Sequence, residues 1–304
     1  MATGGSVDVV LHVETALSEL LAAEVPLSRF VVNFGAADGE CGAGDDWNAD
    51  PANCLIIAGA AAVLVEGSPE FHPLLQKRFE GRSNVTLIHQ YLTLENVTAI
   101  LQKSIASMPT ASWSPDLLKI DLDHADCLFL QEALRVVHPK LVHLEYLPSV
   151  PPPLDYAQQY QSHLLTLGLE QRSSPLLSAG ATPGSSAGLG REFPGCSLTA
   201  FLSRAPGYAL LAAGDNEALL VRRDLHRILR RRRPMPKGDW DAWTQGALCH
   251  PLRSHVPGIF RWGFDFRILA DTSLPAEVRK ELLEELLEGH QASKYELRLS
   301  PPRS

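Results

Sequence analysis

The stretch that decides the fold is Phe30 to Gly39, "FVVNFGAADG". An apolar run stops abruptly at small residues, with glycines at positions 35 and 39. Strands that are covered on both faces are nearly continuous apolar runs, and glycine lets the backbone come close to another group without a side-chain clash. The stretch therefore predicts a buried strand whose carboxyl end lies against a ligand.

The segments downstream repeat this alternation of strand and helix. Helical spacing in residues 8–23 precedes the first strand, and Asp50 before Pro51 predicts the start of a helix. Four further strand-like runs lie at 61–67, 84–92, 116–123 and 140–147, and helical segments lie between them at 68–81 (capped by Ser68), 94–105 and 126–137. Five strands alternating with helices predict a parallel, doubly wound sheet with helices on both faces.

The end of this region departs from the parallel pattern. A helix at 196–205 precedes two apolar runs joined by the turn residues Asp215 and Asn216. Two strands joined by a tight turn are antiparallel, so we expect a hairpin within 208–225. The fold class predicted is Rossmann-like α/β, with seven strands, mostly parallel, and a C-terminal antiparallel hairpin.

The chain divides into three segments by composition. We expect an N-terminal helical segment at 1–29, the main α/β domain at 30–230 and an aromatic-rich, helical appendage at 231–304. A Gly- and Ser-rich stretch at 172–194 predicts a flexible loop. The appendage ends in an amphipathic helix preceded by Ser273 as its cap, and its aromatic residues form either a lid over a substrate or the core of an added layer.

Charge and cysteine content limit the possible partners and compartment. A net charge of -8 argues against general nucleic-acid binding, and the arginine-rich run 222–233 is better explained by a solvated face or by intramolecular acidic partners. No apolar run is long enough to span a bilayer. The five cysteines have no CxxC spacing, so we expect reduced thiols in a cytoplasmic protein, with a Cys41–Cys54 bridge as the lesser alternative.

The carboxyl ends of the strands predict the ligand. Glu66 ends the second strand, where a carboxylate accepts hydrogen bonds from a ribose diol. "GAADG" lacks the GxGxxG spacing, and about a dozen residues follow before a helix starts, which leaves no helix N-terminus for a pyrophosphate. A cofactor without phosphates, S-adenosylmethionine, fits better. Its candidate contacts are Gly35, Ala36, Asp38, Gly39, Glu66, Gly67, Gln90, Tyr91 and Asp121.

Residues 30–225 resemble the FkbM-type family of class I S-adenosylmethionine-dependent methyltransferases. The family motif D-x-G-A-N-x-G is similar to "NFGAADG", and a strand ending in Glu is matched by "VLVEGSPEF". The fourth-strand motif K-I-D-x-E-G-x-E is similar to "LKIDLDHAD", with Asp123, His124 and Asp126 in place of Glu, Gly and Glu. Asn33 stands where the family has an acid, and Ala37 where it has Asn.

The resemblance implies O-methylation of a small-molecule or sugar hydroxyl, with neither nucleic acid nor membrane as a partner. Asp123, His124 and Glu145 are the candidate catalytic residues, because Asp or His near the fourth strand could take the acceptor's proton. A divalent ion on Asp121 and Asp123 remains an alternative, and our site assignment contains no metal.

Two other functions remain open at this level. The altered residues Asn33 and His124 are also consistent with a cofactor-binding or scaffold protein that has lost the chemistry. A Rossmann-type enzyme that uses a nicotinamide cofactor is disfavoured by the missing glycine spacing and by the closing hairpin.

Overall fold

The computed structural model of the 304-residue chain describes residues 9–42, 50–160, 195–214, 216–249, 266–289 and 294–300. The flexible loop expected at 172–194 and the aromatic residues Phe260, Trp262 and Phe264 lie outside these ranges. Within the described ranges, we find no helix with the length and apolar character that a membrane span requires.

The described chain contains nine strands and nine α-helices. The strands are β1 (Phe30–Phe34), β2 (Ala61–Glu66), β3 (Val85–His89), β4 (Leu117–Ile120), β5 (Leu141–Glu145), β6 (Leu154–Gln158), β7 (Tyr208–Ala213), β8 (Glu217–Arg222) and β9 (Tyr295–Leu299). The helices are α1 (Val9–Leu21), α2 (Pro51–Ile57), α3 (His72–Arg78), α4 (Val97–Ser107), α5 (Asp126–Ala133), α6 (Leu198–Arg204), α7 (Arg223–Leu229), α8 (Asp239–Trp243) and α9 (Ala276–Gly289).

Seven strands form one sheet in the order β3-β2-β1-β4-β5-β8-β7. Strands β1 to β5 are parallel, β8 is antiparallel to β5, and β7 is antiparallel to β8. The predicted fold class is confirmed, including the closing hairpin. The hairpin ends at Arg222, because residues 223–229 turn into α7 rather than continuing the strand.

Each face of the sheet packs into its own core. Alternate side chains of β1 point to opposite faces, with Phe30, Val32 and Phe34 in one core and Val31 in the other. The first core includes residues of α4, α5 and α6, and the second includes residues of α1, α2 and α3. Strands buried on both faces explain why the sequence runs are apolar without alternation.

A second sheet, which the sequence did not predict, joins the appendage to the main domain. Strands β6 and β9 pair antiparallel, and β6 packs with α9 in a separate small core. Helix α9 begins at Ala276, and the Ser273 hydroxyl donates to Asp271 at 2.7 Å, so Ser273 is not its cap. The boundaries at 29 and 230 stay predictions, since α1 contributes to the main core and β9 pairs with a strand of the main domain.

The cysteines correct our expectation of free thiols. Cys41 bonds to Cys54 and Cys127 bonds to Cys196, with Cα–Cα distances of 4.5 Å and 6.0 Å, while Cys249 is free and exposed. Both distances lie in the usual range for disulfides. The second pair is separated by 69 positions in the sequence, so spacing alone gave no sign of it.

Part of the arginine-rich run has intramolecular partners, as we expected. Arg222 pairs with Asp224 at 2.7 Å, Arg233 lies 3.4 Å from Glu19 of α1, and Arg232 donates to the carbonyl of Ala22 at 3.2 Å. The contacts of Arg232 and Arg233 attach the segment after α7 to α1 and to Ala22 just beyond it. They account for several of the charges without a nucleic-acid partner.

Removing the Asp116 carboxylate tests how the sheet is held at the amino ends of β1 and β4. Asp116 is 4% exposed and accepts from the Ser28 and Arg29 amides and from Lys140 Nζ at 2.7 Å. We expect Asp116→Ala to lower the free energy of unfolding by about 3–5 kcal/mol, because it leaves the Lys140 charge buried and unpaired. The exposed pair Glu132–Arg135 is the matched control, and Glu132→Ala should cost under about 1 kcal/mol in urea unfolding. Equal losses for the two variants would contradict the prediction.

Candidate functional site

Gly35 lies where β1 and β4 come closest beyond their carboxyl ends. Its φ is +76°, and an added Cβ would lie 1.8 Å from the carbonyl oxygen of Asp121. A side chain is therefore excluded both by the backbone conformation and by contact with the neighbouring loop. This contact within the protein explains the glycine at this position without any ligand.

Lys119 joins the loops that follow β1 and β4. Its Nζ donates to the Gly35 carbonyl at 2.8 Å and pairs with Asp121 at 3.0 Å and with Asp50 at 3.2 Å, and its side chain is 5% exposed. Burial alone lowers the pKa of Lys119, but attraction to Asp50 and Asp121 outweighs it and raises the pKa above its ordinary value. The same ammonium group lowers the pKa of Asp121 against the effect of burial.

Asn33 lies beside Lys119 on the same face of the sheet. Its amide donates to Asp50 Oδ2 at 2.9 Å and to Asn53 Oδ1 at 3.0 Å, and the residue is fully buried. Asp50 also caps α2, as predicted, by accepting from the amides of Ala52 and Asn53. Asp50 thus places a carboxylate next to the position where the resembled family has its acid.

Asn53 fixes the loop between β1 and α2 from the other side. Its side-chain amide donates to the carbonyls of Ala36 and Glu40, both at 3.1 Å. Ala36 is buried in the core, while an added Cβ at Gly39 would meet Leu75 and Phe79 at 2.9 Å. Leu75 of α3 and Phe79 thus leave no room for a side chain at position 39.

Glu66 closes the loop from the end of β2. One carboxylate oxygen accepts from the Ala37 amide at 2.9 Å, the other accepts from the Ser68 amide at 2.6 Å, and the residue is 8% exposed. The predicted cap at Ser68 is therefore wrong, since α3 begins at His72 and the Ser68 amide bonds to Glu66. A carboxylate has about four acceptor positions, so two remain for another donor.

Gly67, Gln90 and Tyr91 follow the neighbouring strands β2 and β3, and their role as cofactor contacts stays a prediction. The backbone amide of Gln90 donates to the backbone carbonyl of Glu66 at 3.1 Å. An added Cβ at Gly67 would lie 2.2 Å from the Tyr91 ring, so the ring rests on the Gly67 backbone. Asp38 lies further along the first loop, where its carbonyl accepts from Arg78 at 3.1 Å.

Three carboxyl groups meet at the carboxyl ends of β4 and β5. Oxygens of Asp121, Asp123 and Glu145 lie within 4.8 Å of one another, and Asn216 Nδ2 donates to Glu145 Oε1 at 2.7 Å. Burial, followed by the charges of the neighbouring aspartates, raises the pKa of Glu145 to about 9. The raised pKa favours the protonated form of Glu145, which hydrogen-bonds to Asp121.

Asp126 shapes the loop that carries this cluster. It is 3% exposed and accepts from the amides of Leu122 at 3.0 Å and His124 at 3.3 Å. Burial raises its pKa to about 8, against the effect of these two amides. The turn places Asp123 in the left-handed region, with φ of 57°, and leaves its side chain exposed.

His124 has a defined tautomer. Its Nδ1 accepts from the Ala125 amide at 2.7 Å, so the neutral ring carries its proton on Nε2. Burial lowers the pKa of His124, which favours this neutral form. Within the described residues, no hydrogen-bond partner reaches the buried Nε2.

Sequence reasoning missed several residues of this site. Asp50 was predicted only as a cap, Lys119 only as part of a motif, Asn216 only as a turn residue, and Asn53 not at all. Asp50 carried no distinct signal for this role, because Asp121 already offers Lys119 a carboxylate, at 3.0 Å.

Comparisons with known proteins find only distant structural likenesses. No protein-family model matches the chain, and no curated protein sequence matches it. The magnesium protoporphyrin IX methyltransferase ChlM from Synechocystis PCC 6803, solved with bound SAH, is 12% identical over 70% of this chain and 83% of its own, with a TM-score of 0.34. The N-terminal domain of EvdMO1 with SAH bound is 16% identical over 52% and 69%, with a TM-score of 0.28. Likenesses this weak carry no argument about function.

The protonated Glu145 predicts how stability changes with pH. A group whose folded pKa is raised from 4.5 to about 9 stabilises the fold fully below 4.5, and this contribution is lost as the pH rises towards 9. Glu145→Gln keeps an acceptor for Asn216 and a donor for Asp121 but cannot ionise. We expect the parent chain to lose about 1–3 kcal/mol relative to Glu145→Gln between pH 5 and 9.

Urea unfolding at pH 5, 7 and 9 measures this difference. Glu132→Gln supplies the control, because it also replaces a carboxylate, in the Glu132–Arg135 pair away from the cluster. If the parent and Glu145→Gln curves stay parallel, Glu145 is ionised in the folded protein.

Proposed function

We propose that this chain is an S-adenosylmethionine-dependent methyltransferase that methylates a hydroxyl of a small molecule or sugar. The observation that carries the proposal is the position of Glu66, a nearly buried carboxylate with unused acceptor positions at the carboxyl end of β2. It lies beside the β1/β4 crevice, where the strand order reverses and where open α/β sheets bind their ligands. FkbM-type membership stays a prediction from the motifs.

The chemistry of the crevice suits a nucleoside without phosphates. Glu66 would accept from the ribose hydroxyls, the backbone of Gly35 to Gly39 would line the amino-acid portion, and Tyr91 would pack against the base. The first described helix after this loop starts at Pro51, and the Asp50 carboxylate already accepts from the Ala52 and Asn53 amides at its N-terminus, which disfavours a pyrophosphate there. When bound, the cofactor would supply a methyl group on a positively charged sulfur.

The carboxylate cluster supports transfer to a hydroxyl. A hydroxyl oxygen must lose its proton as it bonds to the methyl carbon, and a positioned carboxylate can take that proton. Among our three catalytic candidates, Asp123 is exposed and carries its side chain on the loop after β4. We assign the proton-accepting role to Asp123.

The other two candidates suit supporting roles. His124 cannot take a proton on Nδ1 without losing its bond to the Ala125 amide, and its Nε2 already carries a proton. Glu145 holds its proton at neutral pH and shares it with Asp121. In this proposal Glu145 and Asn216 position Asp121, and Lys119 keeps Asp121 ionised.

The alternative of an inactive cofactor-binding protein was motivated by Asn33 and His124. Asp50 weakens the first motive, because its Oδ2 lies 2.9 Å from Asn33 and restores a carboxylate there. Both functions predict binding of S-adenosylhomocysteine, whereas the nicotinamide alternative predicts binding of NAD instead. Turnover separates the first two functions.

Glu66→Ala tests the cofactor site. Losing charge-assisted hydrogen bonds costs roughly 1.5–3 kcal/mol, so we expect binding of S-adenosylhomocysteine to weaken about 10- to 150-fold by calorimetry. The matched control is Glu70→Ala, which removes an exposed carboxylate four positions along the same connection. Unchanged affinity in folded Glu66→Ala would place the cofactor elsewhere.

Asp123→Asn tests the proton acceptor with a panel of hydroxyl-bearing small molecules and sugars. We expect kcat to fall by about 10²–10⁴, because a positioned base acts in the transition state, while affinity for S-adenosylhomocysteine stays near that of the parent. Asp121→Ala should lower cofactor affinity as well, because it also removes one of the two carboxylates that pair with the buried Lys119 ammonium. Parent-like turnover by Asp123→Asn would remove Asp123 from the mechanism.

A further inference from the structure

The two disulfides lie on either side of the candidate site and differ in accessibility. Cys41–Cys54 joins the loop after β1 to helix α2, and both residues are half-buried. Cys127–Cys196 joins the first turn of α5 to the segment before α6, and both residues are fully buried. Because thiol–disulfide exchange requires a thiolate to reach a sulfur atom, the first bond is the more open to reduction.

The accessible disulfide acts on the loop that would line the cofactor. The Asp50 amide donates to the Cys41 carbonyl at 3.1 Å, and Asn53, next to Cys54, donates to the carbonyls of Ala36 and Glu40. Asp50 and Asn53 are also the residues that bond to Asn33. The disulfide therefore fastens the far end of the loop to the same part of α2 that fixes its beginning.

We propose that the Cys41–Cys54 disulfide is a reducible clasp, meaning a bond that holds the cofactor loop, residues 35–42, against α2. Reduction of the bond weakens cofactor binding, and oxidation restores it. The inference rests on the proposed function. In the reducing step, a dithiol gives two electrons and two protons, the S–S bond breaks, Cys41 and Cys54 become thiols, and the dithiol becomes a disulfide. Oxidation by a second disulfide reverses the same exchange.

The expected effect follows from loop entropy. The bond ties Cys41, near the end of residues 35–42, to Cys54 of α2, and residues 35–42 that are no longer tied must be ordered again when the cofactor binds. The hydrogen bonds of Asn53 and Asp50 remain after reduction, so part of the order is kept. We expect the dissociation constant for S-adenosylhomocysteine to rise about tenfold or more.

The experiment uses the full chain, oxidised or treated with increasing dithiothreitol. Iodoacetamide trapping with peptide mass mapping identifies the cysteines that are reduced, calorimetry gives the dissociation constant, and hydrogen exchange follows residues 35–42. We expect Cys41 and Cys54 to be labelled before Cys127 and Cys196. Weaker binding and faster exchange in 35–42 should appear at the same dithiothreitol concentration.

Three variants control for other thiols and for folding. The double variant Cys41→Ser/Cys54→Ser should bind like the reduced parent and ignore dithiothreitol. Cys249→Ser removes the exposed free thiol and should respond like the parent. Cys127→Ser/Cys196→Ser should keep the response of residues 35–42, since its clasp is intact.

The outcomes separate this proposal from the proposed function. The clasp is overturned if the protein binds S-adenosylhomocysteine equally well before and after Cys41 and Cys54 are reduced and labelled. It is also overturned if Cys127 and Cys196 are labelled first. Neither result contradicts the proposed function. If the oxidised parent binds no S-adenosylhomocysteine, the proposed function fails. Hydrogen exchange then still tests whether the disulfide restrains residues 35–42. If the exchange rate of these residues does not change on reduction, the disulfide does not restrain them and the clasp is overturned.

Discussion

The site depends on one buried ammonium group. An isolated charge in the interior costs several kcal/mol, so Lys119 is tolerable only while its partners hold their places around it. Those partners come from three segments: the Gly35 carbonyl after β1, Asp50 before α2 and Asp121 after β4. The electrostatic requirement of Lys119 therefore fixes the relative position of the loops that form the floor of the crevice.

This requirement also explains why an amide and not a carboxylate lies at position 33. An acid at position 33 would bring a second carboxylate next to Asp50, whereas the Asn33 amide donates to Asp50 and to Asn53 at 2.9 and 3.0 Å. Asn33 thus holds the Asp50 carboxylate by a hydrogen bond. Asp50 can then pair with Lys119 and cap α2 at the same time. Asp50 thereby supplies a negative charge beside Lys119.

The sequence predicted the features that have local signals. Apolar runs gave the main strands, Asp50–Pro51 gave the start of α2, and the turn at 215–216 gave the antiparallel β8. Contacts between residues far apart in sequence left no such signal. The Asn216–Glu145 bond spans 71 positions and the Cys127–Cys196 bond 69, and neither residue pair has a distinctive neighbourhood. Strand β6 follows a proline-rich stretch, and its partner in the second sheet is the distant strand β9.

The distance between β6 and β9 has a consequence for synthesis. Asp155 of β6 and its neighbour Ser300, just after β9, are 145 positions apart. At a synthesis rate of 5–20 residues per second, roughly 7–30 s pass between the synthesis of β6 and that of its partner β9. An unpaired strand edge invites pairing with other chains, and an ionised side chain within it disfavours that. Asp155 is a side chain of this kind in β6 before β9 is made. It pairs with Arg204 at 3.0 Å once α6 has formed.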